Sequence, residues 1–443
     1  MHSALRPPCL ASRIGQLAIS PFCAFMVLWP LVFAADTAAP FGGQFYRLYW
    51  YEKGLEHGNP FFNSRFRVND PEVALNPRFM YRSEPRGNGM MQIRIEEDLA
   101  QLGAAELYLE LWGGHPGTAN KRVTINGRSQ HSIADNGTAG GNCTHLYPTL
   151  ALKITDLVNG YNALQFACDK GSSFWGHFIV ENAVLRLALK PDHADLKKFG
   201  LLGFEASVKV ALVEGGKESL RLALSASSPN LLSIASVDYQ GFYRGYAENG
   251  SLEIASWHGF TKEREPVAML AMGQPPSFNA DWDFSMLPAQ EDAAVQAIVH
   301  FKEHPELIYL TAPVRGPQLV RPESKSVELI TSKDLPKPFW SRAGRKNQCT
   351  LELATDPAVI EKAELHVVVW DGGAGTIKDY FTLNGHPLKI AGDGKHDVIY
   401  SRLPVEPALL RKGENRIELL SDTEHHGIEV LLPGPALVVR SAK

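Results

Sequence analysis

Cysteine is scarce in this chain, five among 443 residues, which excludes a disulfide-dense scaffold that substitutes crosslinks for a core. An excess of basic charge is missing too: 44 Lys and Arg stand against 48 Asp and Glu, a formal net charge of −4. That balance gives no field for nucleic acid or an anionic membrane, and it does not point to an acidic substrate. After residue 35 no apolar run approaches the length that crosses a bilayer, and no amphipathic helix of useful length interrupts the pattern. The G-x-S-x-G elbow, the P-loop, H-E-x-x-H and the dinucleotide glycine fingerprint are all absent.

What is present begins with a leader. Residues 1–35 carry Arg6 and Arg13, then an apolar run through Phe25, Val27 and Trp29, then small residues at Ala34 and Ala35. This is the layout of a secretory signal peptide, and it predicts a secreted or periplasmic chain with no membrane partner after cleavage. An uncleaved anchor is the alternative, although Pro21 and Pro30 interrupt the run. Cleavage leaves Cys143, Cys168 and Cys349. In an oxidising compartment Cys143 and Cys168 can pair, worth about 3 kcal/mol by loop closure. Cys349, in the alternating segment QCTLELA, reads as a small buried core residue.

The dominant feature is a duplication. The stretch from Ala105 to Arg128 recurs without a gap from Ala363 to His386, so Trp112 falls on Trp370 and Asn126 on Asn384, each pair 258 positions apart. GYNALQF around Asn162 answers GENRIEL around Asn415. Solenoid periods are about 20–50 residues, so this is a copied domain. Both copies are short alternating strands split by turn chemistry such as GGHPGT, NG and VNGYN, the pattern of a sandwich or jelly roll. The chain is therefore all-β, with the first copy over 36–192, a polar linker with one helical turn at Pro191–Gly200, an immunoglobulin-like β-sandwich over 199–324 without the repeat, and the second copy over 325–443.

With neighbouring strands antiparallel, three loops of the first copy share one end: those with His115, with Asn142, Cys143 and His145, and with Trp175 and His177. A Cys143–Cys168 disulfide would tie two of them together. The same parity gathers Asp371, Lys378, His396, Asp422, Glu424, His425 and His426 in the second copy. Loops at one end of a rigid sandwich carry binding residues, which makes His115, His145, Trp175, His177, Asp371, His396, His425 and His426 the ligand-binding candidates. The bland readings stand beside them. Histidine loops are ordinarily solvated, and adjacent His425 and His426 point to opposite faces of an extended segment, so they do not share one ion. Trp112 and Trp370 end apolar strands and read as packing, whereas Trp175 has no counterpart and reads as a sugar-stacking ring. The aromatic run FYRLYWY, with Tyr46, Tyr49, Trp50 and Tyr51, reads as an edge strand covering the first copy or as a stacking platform. Asp281 and Asp283 flank Trp282 in FNADWDF, a carboxylate pair on a loop or edge.

The strand, the Trp-Gly-Gly or Trp-Asp-Gly-Gly loop, the Asn-Gly turn and the late Gly-x-Asn strand resemble galactose-binding-domain-like jelly rolls, modules of many secreted carbohydrate-active proteins. The resemblance covers most of both terminal thirds and implies two such jelly rolls flanking the immunoglobulin-like sandwich. It implies a glycan or polysaccharide partner, though members also bind proteins or lipids. No cofactor is expected; a structural calcium is common in such modules, and Asp371, Asp379 or Asp135 would supply its oxygens. The expectation is an exported, non-catalytic carbohydrate-binding protein with no catalytic residue. The alternatives are a secreted hydrolase or lyase of polysaccharide using His and acidic side chains, and a structural surface protein that contacts other proteins.

Overall fold

The computed structural model describes residues 43–443 apart from 52–65, 70–89, 115–117, 136–143, 170–176, 214, 216–217, 228–232, 248–251, 255–268, 320, 391–396 and 425–426. The protein is all-β, built of antiparallel sheets, and among the described residues its α-helix is the short linker turn Ala194–Lys198. Among those residues no helix is long and apolar enough to cross a membrane.

Each copy lays one sheet over another. In the first, the front sheet runs in the order Met90–Ile95, Gly160–Asp169, Ala119–Ile125, Ser129–Ser132. The second repeats it strand for strand as Asn347–Leu353, Gly413–Leu419, Phe381–Leu383, His386–Pro387. Period-two alternation sets the faces: Met91, Ile93 and Ile95 enter the core while Met90, Gln92 and Arg94 face solvent. The back sheet of each copy is built on the strand that ends in the repeated tryptophan, Leu102–Trp112 or Ile360–Gly372. Beside the first lies one continuous strand, His177–Leu189; beside the second lie two, Gly427–Val430 and Ala436–Ala442. Many connections cross from one sheet to the other, so neither sheet is a simple meander, whereas the Asn-Gly turn joins two strands of the front sheet.

The repeated asparagines are structural. Asn126 and Gly127 have φ of 50° and 68°, and Asn384 and Gly385 have 53° and 83°. Two consecutive left-handed residues make the type I′ hairpin, whose twist matches the strands and which Asn-Gly adopts most readily. Asn126 Nδ2 donates to Asn162 Oδ1 at 2.8 Å, and Asn384 Nδ2 to Asn415 Oδ1 at 2.9 Å. The Oδ1 atoms of the turn asparagines accept from the Ala163 and Arg416 N–H groups at 2.8 and 2.9 Å. The two motifs most visible in the repeat therefore satisfy each other inside the fold.

The aromatic strand Gln44–Trp50 is not an edge. It pairs antiparallel with His177–Leu189 on one side and with Leu307–Leu310 of the middle sandwich on the other, so both backbone edges are hydrogen-bonded. Through this seam the first copy's back sheet continues into Ala294–Phe301 and Ile234–Arg244. Across it runs one apolar core, from Ile95 and Leu107 through Phe45 and Phe204 to Trp282 and Phe301. Arg47, 7% exposed, anchors the linker from within: it donates to Glu97 at 2.7 Å and to Asp195 of the helical turn at 2.8 Å. The second copy has its own core around Phe339, Leu351, Leu365, Phe381 and Ile417. Cys349 lies in it, and burial pushes its thiol up to about 12.

Candidate functional site

The outer face of the first copy's back sheet is polar and yet buried. Along Leu102–Trp112 the odd positions Leu107, Leu109 and Leu111 enter the core, so Glu106, Tyr108, Glu110 and Trp112 share the other face, none more than 8% exposed. On the neighbouring strand the register shifts between Val180 and Asn182. Val180 and Ala183 face the core, so this bulge turns both Glu181 and Asn182 to the outer face, where strict alternation would have allowed one.

Hydrogen bonds fix these groups. Asn182 Nδ2 donates to Glu110 Oε2 at 2.5 Å, and the Tyr108 hydroxyl donates to Glu110 Oε1 at 3.1 Å. His145 is paired in register with Trp112. Its Nε2 lies 2.6 Å from Glu181 Oε2 and its Nδ1 lies 2.7 Å from the Tyr147 hydroxyl. With Glu181 ionised, the tautomer that satisfies both contacts donates from Nε2 to Glu181 and accepts the Tyr147 O–H at Nδ1. A proton path therefore links phenol, imidazole and carboxylate. One turn of the pattern away, Arg186 grips Glu106 through Nε at 3.0 Å and through Nη2, and stacks its guanidinium 5.4 Å from the Tyr46 ring centre. Three carboxylates, those of Glu106, Glu110 and Glu181, with His145 and the phenols of Tyr108 and Tyr147, thus share one sheet face next to a tryptophan.

The second copy carries a different set at the same register. Glu364 answers Glu106 and holds Arg402, whose Nε donates to it at 2.5 Å, but His366 stands where Tyr108 was, and Val368 where Glu110 was. Burial opposes ionisation of Glu364, yet hydrogen bonds from His366, Arg402 and Lys362 outweigh it and hold the carboxyl well below the usual range. Burial lowers the His366 imidazole, whose Nδ1 lies 2.5 Å from the Tyr400 hydroxyl. Trp112, Trp370, Val368, Leu431, Tyr400 and Tyr246 of the middle sandwich form one apolar cluster. The Tyr246 hydroxyl donates to Gly434 O at 2.7 Å and accepts from the Val368 N–H at 3.1 Å. Both repeated tryptophans are thus packing residues of one junction.

Of the residues singled out in the sequence, His145 belongs to this constellation. His177 pairs in register with Asn69 at the start of its strand, and Asp371, buried, accepts from the Gly373 N–H at 2.9 Å. His115, Trp175, His396, His425 and His426 lie outside the described residues, as does Cys143; Cys168 is buried at the end of Gly160–Asp169. In the back sheet Trp112 registers with His145 and Ile179, and in the front sheet Ala119 registers with Asp169. Asp135 is engaged by Lys121 at 2.6 Å, and among the described residues no three His, Cys, Asp or Glu side chains converge on a metal-sized site. Asp281 pairs with Arg221 on an exposed edge strand, while Trp282 between the two aspartates is buried in the core. Glu110, Glu181, Asn182 and Tyr147 escaped the sequence reading because polar alternation looks like a solvent face. The signal was the dipeptide Glu181-Asn182, which breaks the alternation of its strand.

No protein-family model matches this chain, and no curated protein matches it. Among solved structures it is similar to a β-porphyranase of glycoside hydrolase family 86 from the human gut bacterium Bacteroides plebeius, at 12% identity over 54% of this chain and 36% of that one, with a TM-score of 0.23. A family 86 enzyme in complex with neoagarooctaose gives 12% identity over 54% and 34%, with a TM-score of 0.24. An exo-β-1,3-galactanase from Phanerochaete chrysosporium gives 10% over 72% and 78%, with a TM-score of 0.17. The chain spans about a third of the length of the family 86 structures. The expectation of a non-catalytic glycan binder is corrected: the solved structures named are those of glycoside hydrolases.

Proposed function

We propose that this protein is a hydrolase acting on a polysaccharide, with Glu110 and Glu181 as its catalytic pair, on a scaffold of two galactose-binding-like jelly rolls around an immunoglobulin-like sandwich. The observation that carries the reading is the bulge that sets Glu181 and Asn182 side by side on one face, Asn182 hydrogen-bonded to Glu110 and Glu181 to the His145–Tyr147 pair. Glycoside hydrolysis needs one carboxyl group to protonate the leaving oxygen and a second to act as nucleophile or to activate water. Glu181 can deliver and recover a proton through the His145–Tyr147 chain. Glu110, oriented by Tyr108 and Asn182, is the acceptor suited to attack or to take a proton from water. Asn182 and Tyr108 act as positioning residues, and Trp112 supplies an apolar wall. An exported location and glycan contacts from the His- and Trp-bearing loops complete the proposal.

Incubating the purified chain with agarose, porphyran and β-1,3-galactan and analysing the products tests it. New reducing ends are expected, and Glu110→Gln and Glu181→Gln should each lower turnover by about 10²- to 10⁴-fold with the melting temperature maintained. Full turnover in both variants would remove the pair from the chemistry.

A further inference from the structure

The front sheet of the first copy presents an open face of unusual make-up. Three cross-strand rows cover it: Arg94 beside Tyr161, Gln92 beside Ala163, and Met90, Gln165, Thr124 and Gln130 in line. Beyond them Arg122 registers with Ala167 and Ser132, and the face ends at Asp169. Tyr161 is 64% exposed and Met90 48%, with the Arg94 guanidinium 5.9 Å from the Tyr161 ring centre. At the Asp169 end a cleft of about 440 Å³ opens between Asn120, Arg122, Ser132, Asp135 and Asp169. From Tyr161 to Asp169 the strand covers about 26 Å at roughly 3.3 Å per residue, long enough for several rings of a chain molecule.

The charge on this face is cancelled locally. Arg94 pairs with Glu96 at 2.8 Å, Arg122 with Asp169 at 2.7 Å and Lys121 with Asp135 at 2.6 Å. At the cleft Asn120, in a left-handed conformation with φ of 52°, donates to Asp169 through Nδ2 at 2.6 Å and to Asp135 through its N–H at 3.1 Å. What remains unpaired by charge is an aromatic face, amides and a hydroxyl, separated by the small Ala163 and Ala167. The duplicate shows that the sheet itself does not require this. In the second copy the same rows read Glu352 beside Glu414, Thr350 beside Arg416, and Gln348, Glu418 and Thr382 in line, charged in every row and without an aromatic.

We infer that the exposed front sheet of the first copy, from Tyr161 to the Asn120–Asp169 cleft, is a binding surface for an uncharged polysaccharide chain. It is separate from the Glu110–Glu181 group, which lies on the opposite sheet of the same copy. The Tyr161 ring stacks on the apolar face of a pyranose, the glutamine amides and Thr124 exchange hydrogen bonds with ring hydroxyls, and the fixed donors and acceptors of the cleft take the end of the chain. The inference extends the hydrolase reading, because a surface of this kind holds a polymer near the chemistry and raises its effective concentration there.

The full chain is run in native gels cast with agarose, β-1,3-galactan, xylan or β-glucan, and turnover is followed separately on a short soluble oligosaccharide. The wild-type chain should be retarded by at least one uncharged polymer. Tyr161→Ala and Gln165→Ala, both on the solvent face, should each weaken retardation, by about tenfold for the loss of one stacked ring, and leave short-substrate turnover unchanged. Retardation of Tyr161→Ala equal to wild type overturns the inference, as does wild-type retardation only by a sulfated galactan and not by any uncharged polymer. Loss of retardation in Tyr161→Ala with full turnover in Glu110→Gln and Glu181→Gln leaves this surface standing and removes the catalytic reading alone.

Discussion

The two copies share a backbone plan and have diverged on the face of one sheet. In the first, the positions opposite the core hold Glu106, Tyr108, Glu110 and Trp112; in the second they hold Glu364, His366, Val368 and Trp370. The carboxylate and the tryptophan persist, because each copy uses them structurally: an arginine grips the carboxylate and the ring joins the central cluster. The middle two positions differ. Glu110 anchors a polar group in the first copy, whereas Val368 leaves an apolar seat on which Tyr246 of the middle sandwich docks. The partner strand diverges with it, continuous and bulged at Glu181-Asn182 in the first copy and split into two in the second. One duplicated face became a candidate site and the other an interface.

That contrast can be broken by exchanging residues. Val368→Glu should have the largest effect: it buries a carboxylate against the Tyr246 ring without a cation, and a loss of more than about 3–5 kcal/mol is expected in urea unfolding. The two arginine–glutamate pairs should part company next. Arg186 is 3% exposed, so Arg186→Met strands a buried Glu106 and costs about 3–5 kcal/mol, whereas Arg402, 53% exposed, leaves Glu364 with Lys362 and His366, and Arg402→Met costs at most about 1 kcal/mol. Equal losses would show that the two faces are energetically alike. Tyr246→Phe removes one donor and one acceptor from the junction and should cost about 1–3 kcal/mol by the same measurement.

The smallest effect is the dependence on pH. The fold holds His366 neutral below its ordinary pKa, so the unfolded chain takes up the proton first and stability falls as pH drops below about 6.5. Glu364 is held ionised, so its contribution is complete above about 4.5 and is lost as pH falls below that. Melting temperatures between pH 8 and pH 3 should fall in two steps, and His366→Gln should shrink the upper one, to which His131, also lowered by burial, contributes the rest. An upper step undiminished by this change would remove His366 from it.

Some of this was plain in the letters of the chain. Alternation marked strands such as Met90–Ile95 and Asn347–Leu353, and the Asn-Gly pairs marked the turns after Ile125 and Leu383, since both signals depend on nearest neighbours. Cys349 read as core because its own segment alternates. The aromatic strand Gln44–Trp50 read as an edge, because which strands lie beside it is set by contacts with residues near 185 and 308. Histidines drew attention to loops, while Glu110 and Glu181 looked like ordinary solvent positions. Among the described residues, His145, by its register with Trp112, lies in the polar group.

By itself the sequence determined that a β-module was copied, where its turns fall and which side chains form each core, because hydrophobic period and turn chemistry act over a few residues. Tertiary structure alone decided that the second face of the tryptophan-bearing sheet is buried too. Burial there depends on what packs across the sheet, and a polar residue becomes a buried, oriented acid or base only when distant strands supply its hydrogen-bond partners.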